Sequence, residues 1–115
     1  MRQKPLGRTG LPVSVVGLGT AFLGMRTIYE THVPYDDLIR DIDEELGFQT
    51  VVAALEAGCT LVDTAALYGG GRSEAIIGNV LRARPDLAAN CLVTTKVGRS
   101  VGGYDYGYDA VLRGV

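Results

Sequence analysis

Three titratable side chains stand where two apolar segments end. Asp63 and Lys96 each close a short run of Val, Leu and Thr, and Tyr68 lies on the loop just after Asp63. A tyrosine phenol ordinarily titrates at about pH 10, and a neighbouring ammonium favours its phenolate form. A tyrosine beside a lysine could therefore exchange a proton with a carbonyl or alcohol oxygen while hydride moves at the adjacent carbon, and a carboxylate would hold the lysine in place.

The segments that end in these residues are typical of short buried strands. The runs at 15–19, 60–64 and 91–95 are apolar and predict three strands. Residues 2–14 predict a hairpin whose turn is formed by 7–10. Because the carboxyl ends of neighbouring parallel strands meet at one edge of a sheet, we expect the three side chains to converge there.

Apolar residues at helical spacing predict a helix before the second strand and another before the third. Their apolar faces comprise Phe48, Val51, Val52 and Leu55 in the first helix, and Ile76, Ile77, Val80 and Leu81 in the second. Gly58 is the predicted stop of the first helix, while Ser73 is the predicted N-cap of the second and Pro85 its predicted end. Asp109 is predicted to cap a third helix.

The order of hairpin, β, α, β, α, β and the start of a helix predicts an α/β fold with a parallel sheet, either doubly wound or closed as a barrel. Residues 25–45 have weak periodicity and carry six acidic residues from Asp36 to Glu45, so they predict an exposed acidic insertion with one helical turn. Residues 98–108 are rich in Gly and Tyr and predict a loop.

Composition excludes several classes of protein. The chain has 115 residues, of which 47% are hydrophobic and 21% charged, as is typical of a globular domain. A net charge of -2 without a basic run argues against nucleic-acid binding. Apolar stretches are short and the N-terminus lacks a signal-peptide core, so we expect a cytoplasmic protein without membrane segments. Cys59 and Cys91 lack metal or redox spacing and are expected to be reduced and mostly buried.

Other motifs point to no second site. Residues 17–24 space their glycines as GxGxxxxG, unlike a Rossmann fingerprint, and 69–73 lack the Gly-Lys-Ser/Thr end of a P-loop. The acidic run lacks the ligand periodicity of a calcium loop, and we predict no metal site. His32 is the sole histidine and is expected at the surface. For Asp63 and Lys96, spacing alone favours an ordinary ion pair at strand ends, with the tyrosine as a loop aromatic.

The surrounding sequence resembles the N-terminal part of the aldo-keto reductases. The matching stretches are 6–11 with 16–20, similar to the family's opening; 62–69 with 71–74, similar to its Asp/Tyr signature; and 94–98, similar to its Lys-bearing strand end. Together they follow the family's order and cover almost the whole chain. Residues 96–99 and 104–109 further resemble the branch that contains sugar and pyridoxal dehydrogenases.

This resemblance implies the N-terminal part of a (β/α)8 TIM barrel and an oxidoreductase that uses NADP or NAD. The reaction would transfer hydride between the nicotinamide and an aldehyde, a ketone or a sugar hemiacetal. Tyr68 would be the proton donor or acceptor, Lys96 would tune its ionisation, and Asp63 would be the partner of Lys96. Gly19 and Thr20, together with Asp63, would lie near the nicotinamide end of the cofactor.

Two features separate the chain from a complete family member. The resemblance implies a catalytic histidine after the fourth strand, which lies beyond Val115. Ala66 stands where the family usually has proline. A complete barrel takes about 250 residues. We therefore expect an N-terminal fragment of an enzyme, inactive by itself and able to self-associate through its open sheet edges. The alternative is a non-catalytic half-barrel that serves as a binding or assembly module.

Overall fold

The chain opens with a two-stranded hairpin. The computed structural model describes residues 1–26, 34, 37, 39–100 and 102–114. Strand β1 (Gln3–Pro5) pairs antiparallel with β2 (Pro12–Ser14), which confirms the predicted hairpin. Leu6 N donates to the Leu11 carbonyl oxygen at 2.9 Å and closes the turn. The prediction for His32 lies outside the described residues.

A parallel sheet forms the centre of the described part. Its strands, in spatial order, are β3 (Leu18–Gly19), β4 (Leu61–Asp63) and β5 (Leu92–Thr94). The register aligns Val62 with Val93, and one residue further along it aligns Asp63 with Thr94. The three predicted strands are present, although each is shorter than its apolar run. Their carboxyl ends share one edge, as expected for parallel strands.

Strand β3 is shorter than the predicted run because the carbonyl oxygen of Val16 is hydrogen-bonded to side chains and not to a neighbouring strand. The Ser14 hydroxyl donates to that oxygen at 2.6 Å, and the Cys59 thiol lies 3.5 Å from it. The oxygen is satisfied locally, so the ladder begins only at Leu18. Cys59 is buried and Cys91 is half-buried, and both are free thiols as predicted. Burial raises the pKa of the Cys91 thiol.

Two long helices pack against the sheet. The helices are α1 (Glu44–Glu56), α2 (Arg72–Ala83), α3 (Pro85–Ala88) and α4 (Tyr108–Gly114), with 3₁₀ turns at Ile39–Asp41 and Tyr68–Gly71. Asp43 caps α1 by accepting from Leu46 N at 2.9 Å, so the last residues of the predicted acidic insertion belong to α1. Gly58, with φ of 88°, follows the end of α1 as predicted.

None of the helices in the described part has the length and apolar character that a bilayer span requires, and the longest has 13 residues.

The core lies between the two long helices and the sheet. Val62 of β4, Val51 of α1 and Val80 of α2 have no exposed surface. Leu23, Leu55, Ile76 and Ile77 complete the buried cluster, and Phe48, Val52 and Leu81 pack against it. Both predicted apolar faces are therefore confirmed. Each fully buried side chain of this size contributes about 1.5–3 kcal/mol, so this layer is the main support of β4.

The predicted N-caps of the second and third helices are wrong. Helix α2 begins at Arg72, after the left-handed Gly71, and the Ser73 hydroxyl donates instead to the Thr20 carbonyl oxygen. Helix α4 begins at Tyr108, so Asp109 lies in its first turn. At α2 the left-handed conformation of Gly71 ends the preceding turn, so the helix starts before Ser73.

The predicted loop at 98–108 contains a second hairpin. Strand β6 (Arg99–Ser100) pairs antiparallel with β7 (Gly103–Tyr104). Each strand is two residues long and glycine flanks the pair, so no alternation of apolar and polar residues is present for a sequence pattern to detect.

Candidate active site

Asp63, Tyr68 and Lys96 come together at the carboxyl edge of the sheet. Lys96 Nζ donates to Asp63 Oδ2 at 2.7 Å and to the Thr64 carbonyl oxygen at 2.9 Å. The same ammonium stands over the Tyr68 ring, 4.9 Å from the ring centroid. The structure thus brings together the three residues that the sequence predicted as catalytic, while their roles in catalysis stay predictions.

Asp63 and Lys96 stabilise each other's charge. The hydrogen bond from Lys96 lowers the pKa of the Asp63 carboxyl, the Thr94 hydroxyl at 3.1 Å acts in the same direction, and burial opposes both. Hydrogen bonding to Asp63 raises the pKa of Lys96, and contact with Tyr68 raises it further. An ammonium therefore stays beside the tyrosine ring throughout the neutral range. Both side chains are about half exposed, at 50% and 49%, so water screens their attraction.

A buried network fixes the strand end that carries Asp63. The backbone N and the hydroxyl of Thr20 donate to the Asp63 carbonyl oxygen at 3.0 and 2.9 Å. The Ser73 hydroxyl in turn donates to the Thr20 carbonyl oxygen at 3.0 Å. Because Thr20 and Ser73 are fully buried, these bonds do not compete with water. Sequence reasoning missed this network, since a hydroxyl side chain has no spacing that identifies its partner.

Three successive glycines lead the chain from Tyr68 into α2. Gly69, Gly70 and Gly71 have φ of 59°, 64° and 94°, in the left-handed region that favours glycine. A Cβ added to Gly69 would lie 2.8 Å from Ile42 Cδ1. A larger residue there would displace the turn and move Tyr68 relative to Lys96.

The end of β5 is joined to α2 by a polar contact. The Thr95 hydroxyl donates to Glu74 Oε1 at 2.5 Å, next to Lys96 in sequence. This bond ties the segment that carries the lysine to the helix that follows the tyrosine turn.

The three side chains lie within a region that matches a known protein family. The model of the Aldo/keto reductase family matches residues 15–112, a range that includes all three side chains. This chain belongs to the aldo/keto reductase family. The resemblance of its sequence motifs is thereby confirmed.

Two curated relatives come from the predicted branch of the aldo/keto reductases. Pyridoxal 4-dehydrogenase of Microbacterium luteolum is 36% identical over 97 residues, which cover 84% of this chain and 24% of that protein. L-galactose dehydrogenase of Arabidopsis thaliana is 31% identical over 112 residues, which cover 97% of this chain and 31% of that protein. The chain therefore spans about a quarter to a third of the length of these relatives.

Solved structures of aldo-keto reductases have the same fold. One from Pseudomonas aeruginosa is similar over 97% of this chain and 38% of its own length, with a TM-score of 0.70 and 29% identity. A holo form from Bacillus halodurans matches 96% of this chain and 29% of its own length, with a TM-score of 0.65 and 27% identity. The chain thus has the fold of the N-terminal part of an aldo/keto reductase barrel, as predicted.

The predicted cofactor residues of this aldo/keto reductase differ in accessibility. Gly19 is exposed, and apart from its chain neighbours no residue lies within 4 Å of the place where a Cβ would stand, so a flat ring can approach its backbone. The Asp63 carboxylate beside it is half exposed. These two residues fit the nicotinamide end of the cofactor. Thr20 is buried and its hydroxyl is engaged by Asp63, so it supports the site from beneath. The assignment of all three to cofactor binding stays a prediction.

Proposed function

We infer that the intact protein is an NAD(P)-dependent oxidoreductase that transfers hydride between the nicotinamide and an aldehyde, a ketone or a sugar hemiacetal. The observation that carries this inference is the position of one ammonium: Lys96 Nζ contacts the Asp63 carboxylate at 2.7 Å and the Tyr68 ring centroid at 4.9 Å. An ammonium fixed in this way stabilises negative charge on the phenol oxygen when its proton leaves.

The residues of this chain would supply proton transfer and orientation. The Tyr68 hydroxyl gives its proton to the carbonyl oxygen during reduction, or takes the proton of the alcohol during oxidation. Lys96 stabilises the resulting phenolate, and Asp63 prevents the lysine side chain from turning away into solvent. The bound nicotinamide supplies or accepts the hydride. Gly19 and Asp63 would hold the nicotinamide end of the cofactor over the sheet edge.

The names of the relatives support a small carbonyl compound or a sugar as substrate. They include a pyridoxal dehydrogenase, an L-galactose dehydrogenase and an NADH-specific methylglyoxal reductase from Escherichia coli (strain K12), the last 33% identical over 98 residues. The cofactor in this proposal is NAD or NADP. The retained Asp63, Tyr68 and Lys96 favour an enzyme over a non-catalytic half-barrel module. A cytoplasmic location stays a prediction from composition.

We also propose self-association when the 115-residue chain is expressed alone. In the described sheet β3 and β5 are edge strands, and Val16 and Val93 are 60% and 36% exposed. Unpaired edges next to exposed apolar side chains favour pairing with a second copy. Light scattering should give a mass above the 12.2 kDa of one chain. A stable monomer at micromolar concentration would contradict the proposal.

The central test is the substitution Tyr68→Phe in the intact protein. With aldehyde substrates, oxidation of NADH or NADPH should fall by about 10²-fold or more in kcat, because the proton donor is gone. Affinity for the cofactor should stay within about twofold, since the ring is retained. Tyr108→Phe is the matched control, because Tyr108 is 79% exposed and should leave kcat unchanged. Near-normal turnover by Tyr68→Phe would remove the mechanism.

A further inference from the structure

A cavity of about 290 Å³ opens beside Lys96, between the segment that follows β5 and helix α4. The side chains that matter for its chemistry are those of Lys96, Arg99, Asp105 and Arg113. Ala66, on the loop between Asp63 and Tyr68, forms part of its wall. Lys96, which also contacts Asp63 and the Tyr68 ring, therefore links the cavity to the site at which the carbonyl group would react.

The positive charge of this cavity is only partly balanced. Lys96 is paired with Asp63, whereas within the described part of the chain Arg99 and Arg113 form no ion pair. Asp105 supplies one carboxylate, and its Oδ1 accepts from Gly107 N at 2.9 Å. Two guanidinium groups and one carboxylate that is already hydrogen-bonded thus line the same cavity, which leaves an excess of positive charge.

Both arginines belong to regular elements, and Arg99 is also held by an aromatic ring. Arg99 belongs to β6 and pairs in register with Tyr104 of β7, and its guanidinium carbon lies 5.0 Å from the Tyr104 ring centroid. Tyr104 in turn stacks on Tyr106 at 6.2 Å. Arg113 lies in the last turn of α4. A guanidinium fixed by a ring face loses less freedom when it binds a carboxylate or phosphate than one on a mobile loop.

We propose that Arg99 and Arg113 form a subsite for an anionic group of the substrate, a carboxylate or a phosphate, at a distance from the carbonyl that reacts beside Tyr68. The proposal rests on the proposed function and narrows its substrate class to carbonyl compounds that carry a negative charge. The same chemistry would suit a phosphate of the cofactor. We assign the subsite to the substrate because both arginines line the cavity that contains Lys96 and Ala66.

The test compares ω-oxo carboxylates of three to six carbons with their methyl esters in the intact protein. The wild type should prefer the carboxylates in kcat/KM by about tenfold or more, since hydrogen bonds to charged groups are the stronger kind. Arg99→Gln and Arg113→Gln should each lower kcat/KM for the carboxylates by about 10–100-fold and leave the esters within about twofold. Arg82→Gln is the matched control, because Arg82 is an exposed arginine of α2 bonded to Asn79.

Binding without turnover separates this proposal from the proposed function. Calorimetric titration should detect glutarate on the wild type, weaker glutarate binding on both arginine variants, and no binding of dimethyl glutarate. Glutarate binding without turnover of any carbonyl compound would support the subsite and contradict the proposed function. Turnover of both substrate series without glutarate binding would overturn the subsite alone. Loss of NADPH affinity in the arginine variants, with ester and carboxylate affected equally, would assign the arginines to the cofactor and overturn the proposal.

Discussion

Strands β4 and β5 are neighbours in register, yet their paired residues have different surroundings. Val62 has no exposed surface, whereas its partner Val93 is 36% exposed. Helices α1 and α2 pack over Val62 with the core cluster. Beyond β5 the chain forms the short hairpin β6–β7 and the seven-residue α4, and none of residues 95–99 and 102–114 is buried.

The site lies on the boundary between these two regions. Asp63 and Tyr68 belong to the packed region, while Lys96 belongs to the open one. Packing of Val62 fixes the backbone that carries Asp63, whereas the lysine is held by polar contacts, namely its bonds to Asp63 and Thr64 and the neighbouring bond from Thr95 to Glu74. The difference teaches that the backbone beneath the carboxylate is positioned by the packing of Val62, whereas the ammonium is positioned by hydrogen bonds.

The largest difference in the free energy of unfolding should come from shortening one paired side chain in each strand, Val62 in β4 and Val93 in β5. Val62→Ala removes fully buried methyl groups and should lower the free energy of unfolding of the 115-residue chain by about 2 kcal/mol. Val93→Ala should lower it by less than about 0.5 kcal/mol, because the side chain already contacts water. Urea unfolding at a protein concentration below the onset of self-association, where Val93 keeps its contact with water, gives both values. Equal losses would show that the two faces are packed alike.

A smaller effect should come from the buried hydroxyl network beneath Asp63. Ser73→Ala removes one of the two donors to the buried Thr20 carbonyl oxygen, leaving Leu23 N at 3.2 Å, and should lower the free energy of unfolding by about 1 kcal/mol. Thr50→Ala removes an exposed hydroxyl of α1 that donates to the Leu46 carbonyl oxygen, and it serves as the control with an expected change within about 0.5 kcal/mol. A loss no greater than that of the control would mean that the network does not hold β4.

The smallest effect should be the pH dependence of the Asp63–Lys96 pair. Because folding lowers the pKa of Asp63, its contribution is complete above the unfolded pKa of about 3.9 and is lost as pH falls through the folded value. Because folding raises the pKa of Lys96, its contribution is present below about pH 10.4 and is lost as pH rises through the folded value. Because both side chains are about half exposed, the ion pair should contribute less than about 1 kcal/mol to the free energy of unfolding.

Urea unfolding of the wild type and Asp63→Asn measures this contribution. The difference between the two proteins should be constant from about pH 5 to pH 9 and should shrink in acid as the wild-type carboxyl takes up its proton. A difference that stays the same at about pH 2 would mean that the carboxylate does not stabilise the fold.

The sequence by itself determined the order of elements, the two apolar helix faces and the placement of Asp63 at the end of β4 and Lys96 shortly after β5. The spacing of apolar residues and the residues that end a helix are local features of the sequence. Residues 48–55 and 76–81 therefore identify their helices without knowledge of what these helices pack against. The motif order also identified the family. Alternation along the chain could not say which of Leu61 and Val62 faces the helices, because both are apolar.

Only the tertiary structure decided the contacts that depend on distant partners. The bonds from Ser73 to Thr20 and from Thr20 to Asp63 span 53 and 43 residues, and no local pattern records them. The hairpin β6–β7 was missed because each strand has two residues, too few for a period to be read. The excess positive charge beside Lys96 likewise exists only because folding brings Arg99 and Arg113, which are separated in sequence, to one cavity.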